Sequence, residues 1–294
     1  MKKPTKVAGI ILALLAAVTC AVNPPFSKLL MEHISPTVMA ALLYWGAGIG
    51  IGIMYLFHWK KEKKSERLTK KELPYTILMI LLDSAAPIFL MMGVKYGTAA
   101  NASLLGNFEI VVTTIIALLI FKEGISWKLW VAVIIITLSS IVLSFEDLSS
   151  FKFSVGSLFV ILATSCWGLE NNCTRKISDK STYQIVLLKG IFSGTISFIV
   201  AKILGESLPE LSYILPAMLL GFVACGLSIF LYVRAQRTLG AAKTSAFYAA
   251  APFVAALLAY LIHHEQLTGL YFLGLGLMIL GTIFLVYDIM SSKE

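Results

Sequence analysis

The sequence predicts an all-α integral membrane protein: ten transmembrane helices in two inverted five-helix repeats, with both termini cytoplasmic. Three observations lead there. The 294 residues are 58% hydrophobic and only 14% charged, with a mean hydropathy of +0.86, whereas a soluble domain carries roughly a quarter of its residues charged. The apolar residues form continuous runs of membrane-helix length rather than an alternating pattern, which favours helices over a barrel. The two halves of the chain also repeat one another.

Taken in order, the expected spans are 7–30, 36–58, 73–95, 98–121, 126–144, 154–176, 181–204, 212–233, 240–262 and 268–288. The first begins MKKPTKVAGIILALLAAVTCA, which has the basic start and apolar middle of a signal peptide. Its apolar character runs on past Cys20 towards Leu30, and it has a counterpart in the second half, so it is read as a retained span.

The net charge of +8 resides mostly in the connections. With the N-terminus inside, only Lys28, Lys95, Lys152 and Lys202 of the 24 Lys and Arg fall in outer loops, Lys189 lies inside a span, and all the others are cytoplasmic. That bias fixes the expected topology and makes nucleic acid an unnecessary explanation of the charge. The basic run from Lys60 to Lys71 is read as a solvated cytoplasmic loop, with anionic lipid heads as its other partner. The four cysteines, Cys20, Cys166, Cys173 and Cys225, form no CxxC pair and are read as packing residues.

The repeat is visible in short segments. FKE (Phe121–Glu123) matches HHE (His263–Glu265), and TAANAS (Thr98–Ser103) matches GAAKTS (Gly240–Ser245). Gly9–Lys28 aligns with Gly156–Arg175, placing Asn23 against Glu170. The expected halves are 1–145 and 154–288. Five helices per half is an odd number, so the second half enters the membrane from the opposite side. Such inverted repeats are found in secondary transporters, with a site near the midplane between the halves.

YVRAQRTLGAAKTSAFYAAAPFVAALLAYLIHHEQLT (Tyr232–Thr268) resembles the signature of EamA-type proteins of the drug/metabolite transporter superfamily, with small residues, an intramembrane Pro252 and Glu265 after the span. CWGLENNCTRK (Cys166–Lys176) is similar to the Trp-Gly start of the family's repeat unit. The resemblance covers essentially the whole chain. It implies a ten-helix carrier of small metabolites in a superfamily that includes many exporters, with helices 1–4 and 6–9 around a central cavity and helices 5 and 10 peripheral. The first half departs from the pattern: Cys20-Ala21 stands where the second copy has Trp167-Gly168, and Glu109-Ile110 where it has Ala251-Pro252.

A charge at a helix centre costs roughly 2.5–3.5 kcal/mol on insertion scales, so each intramembrane ionisable residue is a functional candidate. Asp83 lies in LLDSAAPIF, one turn before Pro87, and either works in a site or bonds locally with Ser84. Glu109 shares a helical face with Thr113 and Gly106, with Asn107 nearby. It is expected to line the cavity, as a proton carrier or as a contact for a cationic group. Glu170 has Trp167 and Thr174 on its face; an acid beside an aromatic ring suits an ammonium group. It also lies at the depth of Lys189, and a Glu170–Lys189 ion pair is expected, made in one state and broken in another if it is a gate. Lys189 otherwise meets a substrate carboxylate. Asn171 and Asn172 extend this polar patch, and Tyr44, Trp45, Tyr248 and Asn23 are weaker candidates. Trp127 and Trp130 read as interfacial belt residues, His263 and His264 as solvated loop residues, and Glu123 and Glu265 as anchors at the membrane edge.

No nucleophile–base set, metal-binding His cluster, phosphate-binding Gly loop or ATP motif is visible in the sequence, so no catalytic residue, metal or cofactor is expected. The reading is a secondary transporter of a small polar metabolite in the cell membrane, as monomer or homodimer. The metabolite is an amino acid, amine or organic cation, and a proton is the natural coupling ion. The competing readings are a passive channel, a membrane scaffold subunit and a lipid-modifying enzyme. The last lacks a convergent catalytic set.

Overall fold

Two adjacent prolines set the first feature of the backbone. The computed structural model describes residues 6–121, 126–147, 152–177, 180–239, 244, 247–264 and 267–291. Helix α1 (Lys6–Ala21) stops at Val22 and α2 (Asn23–Leu30) starts immediately after it. Pro24 and Pro25 lack the N–H groups that would bond the carbonyls of α1, so the helix cannot run through unbroken. Ser35 and Pro36 open α3 (Pro36–His58), with proline in the first turn where its missing N–H is harmless. Helix α4 (Leu73–Tyr96) carries Pro87 in its interior.

The fourth expected span is interrupted. Thr98 Oγ1 accepts from Asn101 N at 3.1 Å to cap α5 (Ala99–Leu105), the chain turns at Gly106 and Asn107, and α6 (Phe108–Phe121) follows. Ser126 caps α7 (Trp127–Ser144), and a short antiparallel pair, β1 (Phe145–Asp147) with β2 (Lys152–Phe153), leads into α8 (Val155–Ile177). The seventh span consists of α9 (Thr182–Leu188), a π-helical stretch Lys189–Ser193 and α10 (Gly194–Ile203). The eighth is α11 (Leu211–Gly221), a second π-helical stretch Phe222–Leu227 and α12 (Ser228–Leu239). Helices α13 (Ala251–His263) and α14 (Gly269–Ser291) complete the described chain.

Among the described residues, seven helical stretches are long and apolar enough to cross a membrane, and α13 is a shorter apolar helix. Three of the ten expected spans fall outside those seven. The fourth is broken at Gly106–Asn107; α8 carries Glu170, Asn171, Asn172, Thr174 and Lys176; and the ninth is described only in part. Glu123, Glu265, Ala241, Ala242 and Ser245 lie outside the described residues. His263 is not a solvated loop residue: it ends α13, and its Nε2 lies 2.8 Å from the Pro25 carbonyl. His264 is exposed and takes the left-handed cap position at φ 48°.

The closest helix pairs each join the first half to the second. Helix α4 runs along α8, α1 along α12, α5 against α13 and α7 against α14, while α3 crosses α9, α10 and α11. Glycine permits close crossings: a Cβ on Gly190 would lie 2.2 Å from Gly48 N, inside the van der Waals contact distance. The outer surface is oily, with Phe57 82% and Ile203 79% exposed, whereas Asp83, Glu170 and Lys189 are buried. A polar interior beneath an apolar exterior is the arrangement a bilayer demands.

Candidate functional site

Three helices bring one cation to two acids. Lys189 opens the π-helical stretch after α9, Asp83 comes from mid-α4 and Glu170 from α8. Lys189 Nζ lies 2.7 Å from Glu170 Oε1 and 3.0 Å from Asp83 Oδ2. The expected Glu170–Lys189 pair is present, and Asp83 joins it. Tyr44 OH on α3 donates to Asp83 Oδ1 at 3.2 Å, and Thr174 Oγ1, one turn along α8, donates to Glu170 Oε1. Burying each ion costs several kcal/mol, which close pairing and added hydrogen bonds offset. Two carboxylates and one ammonium still leave an excess acid. Asp83 does not bond locally with Ser84, whose hydroxyl donates to Ile80 O at 2.7 Å. The same edge of α4 is fastened to the seventh span by Ser193 Oγ, which donates to Ile80 O at 3.1 Å.

Glu109 stands apart from this triad. It lies in the first turn of α6, just after the break, with its own N–H bonded to Gly106 O at 3.2 Å. Asn171 Nδ2 on α8 donates to its Oε1. Among the described residues no Lys or Arg stands within ion-pair distance of it. Asn107 Nδ2 and Thr113 Oγ1, flanking it in sequence, are buried without a hydrogen-bond partner among the described residues. The 3₁₀ turn closed by the bond from Glu109 N to Gly106 O keeps Gly106 on the side of Glu109. A Cβ on Gly106 would lie 3.7 Å from Pro252 Cγ, where α13 begins. Gly168 lets α8 press on α6: a Cβ would come within 2.7 Å of Val112.

The remaining candidates divide. Trp167 is partly buried against the core that contains Tyr44. Trp45 faces away from the acids: its Nε1 donates to Thr195 Oγ1 at 3.2 Å and its ring packs on Phe198 at 5.0 Å. The reason is helical phase, since neighbours on α3 point about 100° apart. Tyr248 OH meets Ser228 Oγ at 3.2 Å, beside the α1 backbone, where Ser228 donates to Ala16 O at 2.9 Å. Asn23 Oδ1 accepts from Ser27 Oγ at 2.7 Å within α2, and Asn172 Nδ2 donates to Gly168 O at 2.8 Å within α8. Trp127 and Trp130 are exposed near the start of α7. The four cysteines are free.

Comparison with known proteins fits this arrangement. The EamA-like transporter family model matches residues 7–145 and again 154–287. A Methanothermobacter thermautotrophicus protein named an uncharacterized transporter is 24% identical, over 95% of this chain and 86% of its own. The uncharacterized transporter YyaM of Bacillus subtilis is 23% identical, over 87% of this chain and 86% of its own. An uncharacterized transporter of Synechocystis is 23% identical, over 97% and 88% respectively. A crystal structure of another protein, 15% identical, superposes over 97% of this chain and 99% of its own with a TM-score of 0.71, which shows a shared fold. The protein is a multi-pass protein of the cell membrane, and the chain belongs to the EamA-like transporter family.

Proposed function

We propose that the chain is a secondary transporter that moves a small amino-bearing metabolite or organic cation by alternating access between two inverted halves, 1–145 and 154–288. The observation that carries the substrate class is Glu109. It is a partly buried carboxylate that, among the described residues, is held by the Asn171 amide alone, next to Asn107 and Thr113 groups that lack partners there. The ammonium of Lys189 is already taken by Asp83 and Glu170, so a positive group on the substrate is assigned to Glu109. The contact pattern supports the inverted halves. Exchanging span n with span n+5 turns the third-on-sixth pair (α4 with α8) into the eighth-on-first pair (α12 with α1). It maps the second-on-seventh, fourth-on-ninth and fifth-on-tenth pairs onto themselves. A proton couples naturally to this cycle: Glu109 holds it when the substrate is absent and releases it when a cation arrives.

The test is Glu109→Gln in proteoliposomes, with the substrate found by thermal shift against amino acids, polyamines, quaternary amines and nucleobases at two pH values. The variant keeps the parent melting temperature and loses proton-coupled uptake. Unchanged pH-dependent uptake would exclude Glu109 from the site.

A further inference from the structure

The second helix of each half starts in the same way. Ser35 precedes α3 and Ser181 precedes α9, and at that same spacing Gly48 matches Gly194 and Val38 matches Gln184. At each start stands a glutamate from the loop that ends the second span of the opposite half. Glu206, three residues beyond α10, accepts from Val38 N through Oε2 at 3.0 Å. It occupies the position that the Ser35 hydroxyl would otherwise fill, and Ser35 Oγ is buried without a partner among the described residues. Glu62, four residues beyond α3, accepts from Ser181 Oγ, which in turn accepts from Gln184 N at 3.4 Å. One glutamate caps directly and the other through a serine, but both place negative charge at a helix start, where it is favoured.

The two contacts lie on opposite faces of the membrane. Each joins the end of one second span to the start of the other, and α3 and α9–α10 run antiparallel. The Glu62 side is further braced. Tyr55 OH donates to Glu62 Oε2 at 2.7 Å, and Arg67 Nε lies 3.3 Å from the same carboxylate. Ser181 N donates to Glu66 O at 2.6 Å, and Leu68 N to Gln184 Oε1 at 2.7 Å. The loop between α3 and α4 is thereby strapped across the start of the seventh span.

We propose that Glu62 and Glu206 are paired latches, one on each face, that hold the two halves together at the ends of the second and seventh spans. Both are closed in this structure, with Asp83, Glu170 and Lys189 buried in the interior, and transport releases them one at a time. The idea rests on the alternating-access reading, but its test uses no substrate, so the two stand or fall separately.

The full chain, with Cys20, Cys166, Cys173 and Cys225 replaced by alanine, is spin-labelled in proteoliposomes. One pair is Lys63→Cys with Lys176→Cys, on the Glu62 face; the other is Glu32→Cys with Leu208→Cys, on the Glu206 face. Electron–electron distances are then measured. Glu62→Ala and Ser181→Ala should lengthen and broaden the 63–176 distances and leave 32–208 unchanged. Glu206→Ala and Glu206→Ser should do the reverse. The second variant in each set stands in where the first does not fold. Distances that stay at parent values on the mutated face, or that change equally on both faces, overturn the proposal.

Discussion

Lys189 carries the electrostatics of the interior, because it compensates acids from two different helices. Removing it leaves Asp83 and Glu170 buried and facing each other without a counter-charge, which costs about 3–5 kcal/mol for a broken buried pair. Lys189→Met is therefore expected to lower the melting temperature sharply in detergent. Adding Asp83→Asn and Glu170→Gln should restore most of the loss, since neutral groups need no cation. A single variant that melts like the parent would show that the three charges are not coupled. The Glu170–Lys189 pair was legible in the sequence from the equal depth of the two residues on consecutive helices, although the structure brings them together through α4, which packs against both α8 and the π-helical stretch. Asp83 was not, because its place depends on α4 lying along α8, which depth alone does not specify. Glu170 and Asn171 show the same limit. They are neighbours on α8 pointing about 100° apart, so Glu170 reaches Lys189 while Asn171 reaches Glu109 on α6.

At the scale of the element, breaks and close approaches matter more than hydropathy. An apolar run marks a span but averages over its whole length. The turn at Gly106–Asn107 and the π-helical stretch at Lys189 are local backbone events inside such runs. The prolines after Val22 gave a local signal of a break; Gly106–Asn107 gave only a weak one. The turn before α13 falls at Ala249–Ala250, beside the repeat equivalent of the α5–α6 turn. The glycines can be tested directly. A Cβ on Gly190 would meet Gly48 backbone atoms at 2.2 and 2.3 Å, and backbone cannot rotate aside as a side chain can. Gly190→Ala should thus destabilise by about 1–3 kcal/mol or more through overpacking, outweighing the gain of up to about 1 kcal/mol that alanine brings to a helix. Gly276→Ala on α14, where a Cβ meets nothing within 4 Å, should be neutral or slightly stabilising. Thermal melts of the two variants in one detergent decide this; equal melting temperatures would mean that the crossing of α3 with the Lys189–Ser193 stretch is looser than the geometry requires.

For the whole molecule, the decisive fact is that the closest helix pairs all cross between halves. Within a membrane, association rests on close van der Waals packing and interhelical hydrogen bonds rather than on the hydrophobic effect. A half expressed alone would keep its helices, because the lipid enforces their backbone bonding. It would lose the surfaces that position them: α4 without α8, α1 without α12, α5 without α13 and α7 without α14. It would also leave Asp83 without Lys189 in one fragment and Lys189 without Asp83 in the other. The repeat could be recognised in the sequence, but not that its halves interlock so fully, since similarity between segments says nothing about which faces meet. The expected outcome is that residues 1–147 and 152–294, expressed separately, aggregate on detergent extraction. Co-expressed, with a tag on one fragment only, they should copurify as a complex that melts near the intact chain. Size-exclusion profiles decide the matter: two fragments that each run alone as sharp, stable peaks would mean that the halves fold independently and that the inter-half contacts are secondary.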